Sequence, residues 1–265
     1  MLEVYEPWII YALLGIVAGL LAGMLGVGGG QVIVPGLLYL FPIFHFPEDH
    51  MVHMALGTSL AVIVITSISS AYSHYRLGSV DLGVLRKMVA GIAIGSVAGG
   101  LVAGYLPSKI LRICFGIFLI LLAVQMISAW KPRPGRELPS TGKIRSISAL
   151  IGFLSSIVGV GGGSMVVPYL SWNNIDMKKS IGTAAACGTP LAMAGMIGYI
   201  LSATGKTDIP EPSFGYVYLP AFFMVAAFSI FFTSIGARIT NKLPVAILKR
   251  VFAIFLLIAG VRILL

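Results

Sequence analysis

Gly26-Val27-Gly28-Gly29-Gly30-Gln31-Val32-Ile33-Val34-Pro35 recurs, 133 residues later, as Gly159-Val160-Gly161-Gly162-Gly163-Ser164-Met165-Val166-Val167-Pro168. Seven of the ten positions are identical, and the changes all fall between Gly30 and Val34. Three consecutive glycines inside a hydrophobic run make a poor helix interior, each costing roughly 1 kcal/mol relative to alanine. A helix interrupted at membrane depth is tolerated only where its freed backbone is buried in protein or lines a cavity. The two phrases therefore read as a paired substrate site, with the rest of the chain arranged around it.

Composition agrees with a membrane setting. Of 265 residues, 58% are hydrophobic and only 10% charged, with a mean hydropathy of +0.99. Ordinary soluble domains carry about 25% charged residues. Apolar runs such as 111–130 and 219–235 approach or reach the roughly 20 residues that cross a bilayer. The expectation is an all-α polytopic protein. A net charge of +9 would suggest nucleic acid for a soluble chain, but here the basic residues sit in loops and read as topology signals. No Lys or Arg precedes the first apolar run, so residues 8–25 are read as part of the mature protein and not as a cleaved signal. Cys114 and Cys187 lie in apolar helices at non-equivalent positions and read as small packing residues.

Taken in order, residues 8–25 form a Gly- and Ala-rich helix ending at the first glycine phrase. A short segment, 31–41, follows, too short at about 1.5 Å per residue to cross a bilayer of roughly 30 Å. Longer helices are expected at 50–75, 82–105 and 107–130. A linker, 131–145, holds three prolines and five basic residues. The second half repeats this order: 146–158, the second glycine phrase, 165–172, 177–203, a polar loop 204–213, then 216–241 and 244–265. Gly57-Thr58 matches Gly182-Thr183, and the pattern Pro107, Leu111, Phe115, Phe118 matches Pro244, Leu248, Phe252, Phe255. The expected organisation is an N-terminal repeat (1–130), the linker (131–145) and a C-terminal repeat (146–265).

Loop charge sets an orientation. With the linker in the cytoplasm and three full crossings per half, 14 of the 18 Lys and Arg fall on the cytoplasmic side. The outer side receives only Lys109, Arg112, Lys206 and Arg262. Both termini are then outside, in a multi-pass protein of the plasma or inner membrane. An odd number of crossings per half turns the second repeat upside down relative to the first. One glycine hairpin enters from each side, with the tips meeting inside the membrane, as in secondary transporters built from inverted repeats with broken helices.

On these features the chain resembles the TauE/SafE family of sulfite and organosulfonate transporters. The matching residues are the two Gly-Val-Gly-Gly-Gly phrases with their following prolines, the Gly-Thr pairs at 57–58 and 182–183, and the two-halved span pattern. The resemblance covers essentially the whole chain. It implies export or uptake of small sulfur-containing anions such as sulfite, sulfonate or thiosulfate.

The residues make a case for an anion independently of that resemblance. Gly28, Gly29 and Gly30, and Gly161, Gly162 and Gly163, present backbone N–H groups where short helices begin. A helix N-terminus offers unpaired donors and partial positive charge. Gln31 and Ser164, at matched positions, are expected to add side-chain donors. Thr58, Ser59 and Thr183, on the helices that follow each hairpin, are expected to complete the substrate site; intrahelical bonding to the carbonyl four residues back is their alternative role. Pro190 is expected to kink its helix.

No Asp or Glu lies deep in any expected span, so a carboxylate proton relay is not evident. His53 and His74 are the titratable candidates for proton or ion coupling, with interfacial solvation as the default role. Arg76 and Arg238 read as snorkelling topology anchors. The glycines lack the Lys-Ser/Thr of a phosphate-binding loop, and His45, His50 and His53 sit together at the membrane edge without forming a convincing metal set. No enzyme activity, metal or cofactor is therefore expected. The reading is a secondary transporter, an exporter in direction, for a small sulfur anion; a passive anion channel of the same architecture is the alternative.

Overall fold

Both glycine phrases end one helix and start another. The structure, a computed structural model, describes residues 2–25, 29–128, 138–240 and 245–265. Gly28 and the first part of the linker, residues 131–137, lie outside the described residues. In the first half, α1 is Leu2–Leu25, α2 Gly30–Ile43, α3 Glu48–Arg76, α4 Leu82–Tyr105 and α5 Ser108–Ile127. In the second, α6 is Thr141–Ile157, α7 Gly163–Trp172, α8 Met177–Ser202, α9 Leu219–Thr240 and α10 Val245–Leu264. Among the described residues five helices are long and apolar enough to cross a membrane. The protein is an all-α polytopic membrane protein.

The short helices end alike. Beyond α2, His45 takes a left-handed φ of 58° and the Phe46 N–H bonds the Phe41 carbonyl at 3.1 Å. Beyond α7, Asn174 does the same at 63°, with the Ile175 N–H on the Leu170 carbonyl at 3.2 Å. These are Schellman-type caps, which satisfy last-turn carbonyls and turn the chain sharply.

Two boundaries differ from expectation. Residues 141–145, read as linker, are the first turn of α6, with Ser140 as its N-cap and Ile144 buried. Residues 213–218, partly read as the start of a span, form an antiparallel pair, β1 Ser213–Phe214 with β2 Val217–Tyr218. Gly215 makes that turn at φ +59°, pressed against the backbone of Ile200, where a Cβ would approach the Ile200 Cα to 2.7 Å.

Small residues let helices from opposite halves touch backbone to backbone, as is common in membranes. Gly91, Gly95 and Gly99 of α4 face the carbonyls of Arg145, Ala149 and Phe153 of α6, so the two helices run parallel. Gly15 and Gly19 of α1 face Val225 and Ser229 of α9, again in parallel. Between α3 and α8 the numbering runs in opposite senses: Leu60 meets Gly195, and Ser67 meets Gly188 and bonds Thr189 at 3.0 Å. The α5–α10 pair is also antiparallel, through Gly116 with Gly260 and Arg112 with Ile263.

Several basic residues gather at one end of the bundle. Lys109, Arg112 and Arg262 border one cavity where α3 and α5 begin and α10 ends. Lys206 stands over the Tyr105 ring at that same end, where the Thr207 carbonyl accepts from His50 at 3.1 Å.

Candidate functional site

The two hairpin tips touch. A Cβ on Gly30 would lie 2.9 Å from the Gly159 carbonyl oxygen, 3.1 Å from the Ser59 hydroxyl and 2.8 Å from Ile63 Cδ1. A Cβ on Gly161 would meet Ile63 Cγ2 at 3.2 Å. Ile63 of α3 thus packs against both tips, and no space remains at Gly30 for a side chain. Gly29 and Gly162 occupy the N-cap positions of α2 and α7, and neither helix start carries a side-chain cap. The first-turn N–H groups of a helix have no intrahelical carbonyl to bond.

Two serines dispose of the carbonyls at the second tip. Ser59 donates to the Gly159 oxygen at 3.0 Å, and Ser164 donates to the Gly161 oxygen at 3.3 Å. Acceptor oxygens that would repel an anion are thereby paired, while N–H groups predominate at the helix starts. Ser164 was expected to offer its hydroxyl proton to substrate; that proton is directed to Gly161.

Gln31 is fully buried, and neither its amide nitrogen nor its amide oxygen has a hydrogen-bond partner. Burying an amide without partners costs roughly 1–3 kcal/mol, and such an orphan calls for an explanation. It sits in the first turn of α2, one residue from the contact between the tips.

Thr58 and Thr183 point elsewhere. The Thr58 hydroxyl accepts from the Tyr218 N–H at 2.9 Å, and Thr183 accepts from the Asp81 N–H at 2.9 Å. Beside each, a glycine admits a carbonyl of the same loop: Gly57 faces Tyr216, and Gly182 faces Ser79. Each Gly-Thr pair therefore clamps the backbone just ahead of a helix in the other half, α9 or α4. These bonds differ from the intrahelical pattern considered for these threonines.

The structure thus gathers Gly30, Ser59 and Gly161 around Ile63, with Gly29 and Gln31 flanking Gly30 in the chain, places Gly162, Gly163 and Ser164 at the start of α7, and directs Thr58 and Thr183 into the clamps. Ile63 was missed, and nothing in its apolar surroundings distinguishes it in sequence. His53 is 3% exposed, donates through Nε2 to the Leu106 carbonyl at 3.0 Å and stacks on Tyr216 at 4.8 Å, so it is not solvated at the interface. Cys187 is buried and Cys114 half-buried, both as free thiols.

A family model described as sulfite exporter TauE/SafE matches residues 11–263. A probable membrane transporter protein of Haemophilus influenzae is 40% identical, over 94% of this chain and 95% of its own length. Similar proteins, each likewise described as a probable membrane transporter protein, occur in Methanocaldococcus jannaschii (28% identical, 96% of this chain and 94% of the relative) and in Bacillus subtilis (YunE, 27%, 97% of each). No solved structure matches the chain.

Proposed function

We propose that this chain, which belongs to the sulfite exporter TauE/SafE family, is a secondary transporter of a small sulfur-containing anion, moving it by alternating access. Its substrate is held where the two hairpin tips meet, by first-turn N–H groups of α2 and α7 together with the amide of Gln31. The carrying observation is the orphaned Gln31 side chain, fully buried and unpaired, on the residue that follows Gly30 at the tip contact. A sulfite or sulfonate oxygen accepting from the Gln31 NH2 would supply the partner its nitrogen lacks and offset part of the cost of burying the amide. Oxygen-rich anions also suit helix N-termini.

Opposed helix directions support two inverted repeats, residues 1–130 and 146–265. The cross-half pairs α3–α8 and α5–α10 are antiparallel, while α1 runs with α9 and α6 with α4. Taking the basic linker as cytoplasmic places both termini outside, and export is the direction the family description favours. Coupling to protons or another ion is a separate question for the same assay.

Flux into proteoliposomes tests this reading, with sulfite, thiosulfate, sulfoacetate and taurine compared. A carrier saturates and shows counterflow; conductance with neither property makes the protein a passive channel. Gln31→Ala is expected to cut flux of the preferred anion at least tenfold, and unchanged flux removes Gln31 from the site.

A further inference from the structure

A cavity of about 800 Å³ opens at the end of the bundle where α2 and α10 finish and α3 and α5 begin. Ligand pockets typically measure about 300–1,000 Å³. Its rim carries Lys109, Arg112 and Arg262 together with Glu48 and Asp49. Five charges of both signs border one space, yet none forms an ion pair with another described residue. Charges that share a rim without pairing leave both signs free for something else.

The cationic groups are set in place. Arg112 donates through Nε to the Ile263 carbonyl at 2.6 Å, which anchors the guanidinium while its two terminal nitrogens remain as donors. The Arg262 guanidinium lies over the Tyr39 ring, 5.3 Å from its centre. The rest of the lining is largely apolar, and two of its side chains are exposed: Ile113 at 40% and Ile258 at 62%. In a membrane protein such a wall borders acyl chains.

We propose that this cavity binds a single phospholipid whose head carries both a phosphodiester and a primary ammonium, of the phosphatidylethanolamine type. Its phosphate meets Lys109, Arg112 and Arg262; its ammonium donates to Glu48 and Asp49; its chains run along Ile113 and Ile258. A purely anionic head would leave the two carboxylates facing its negative charge. A quaternary ammonium has no N–H to offer them. The proposal requires the membrane setting but not the transport reading.

Native mass spectrometry of the full-length protein, offered equimolar phosphatidylethanolamine, phosphatidylcholine and phosphatidylglycerol, tests it. Wild type is expected to retain phosphatidylethanolamine at least fivefold over either competitor. K109Q/R262Q should lower retention of phosphatidylethanolamine and phosphatidylglycerol alike. E48Q/D49N should abolish the preference between those two while phosphatidylglycerol stays bound. Should K109Q/R262Q fail to fold, the E48Q/D49N arm decides alone. Equal retention of all three lipids by wild type, or a preference unchanged in E48Q/D49N, overturns the proposal. So does displacement of the lipid by an equal concentration of soluble phosphoethanolamine, or a dimer that survives delipidation and cross-links across the cavity.

Discussion

Thr183→Val should loosen one end of the molecule and leave the other closed. The substitution keeps the shape of the side chain and deletes the oxygen that accepts from the Asp81 N–H at 2.9 Å. Thr183 is fully buried, whereas Asp81 is half-buried, so water can partly replace the lost partner. Such a bond contributes about 1 kcal/mol, at the low end of the range for a stranded buried group. If the clamp is closed in this conformation and open in the next state of the cycle, that energy is differential between the two states. About 1 kcal/mol then multiplies the open population roughly fivefold, since 1.4 kcal/mol corresponds to tenfold. Cys187 supplies the readout: it lies one turn beyond Thr183 on α8 and is fully buried. In a Cys114→Ser background, Thr183→Val should raise the alkylation rate of Cys187 by a small-molecule maleimide about fivefold. Thr183→Ser, which keeps the accepting oxygen, should label like the parent. Thr58→Val breaks the matching clamp on Tyr218 and should not raise Cys187 labelling. Unchanged labelling in folded Thr183→Val, or an equal rise in Thr58→Val, refutes the idea that the clamps act separately at the two ends.

Other outcomes follow from the tip contact. Gln31→Met replaces an unpaired buried amide with an apolar side chain of similar length. It should gain about 1–3 kcal/mol in stability, read as a higher melting temperature in detergent, while losing flux. Gly29→Leu or Gly162→Leu should abolish transport in proteoliposomes while membrane insertion, read by surface labelling, stays intact; normal flux in both removes the tips from the site. Ser59→Ala strips the Gly159 carbonyl of its donor and should cost about 1–2 kcal/mol, measured by thermal unfolding. Gly95→Leu should prevent stable folding altogether, because a side chain there meets the Ala149 backbone, and a monodisperse, fully active variant would contradict the α4–α6 packing.

The sequence by itself determined where helices run and where they break. Three consecutive glycines cannot hold a helix at low cost, long apolar runs must be helical to satisfy their backbone in lipid, and both effects act within a few residues. Helix α4 therefore fell at 82–105 as expected, and both short segments appeared where anticipated, within two residues. The repeated glycine phrase was equally legible, since it needs only two stretches of the sequence to be compared. Tertiary structure alone decided the partners of each polar group. That the Thr58 and Thr183 hydroxyls clamp loops 160 and 102 residues away, and that Ile63 packs against both tips, are facts of packing. Local propensity carries no information about which hydroxyl meets which distant N–H. The same holds for the hairpin at 213–218, where Gly215 turns because the Ile200 backbone leaves room for nothing larger. Gln31 shows the division most plainly: its position at a helix start was written in the sequence, but that its amide is buried with no partner is a property of the folded chain alone.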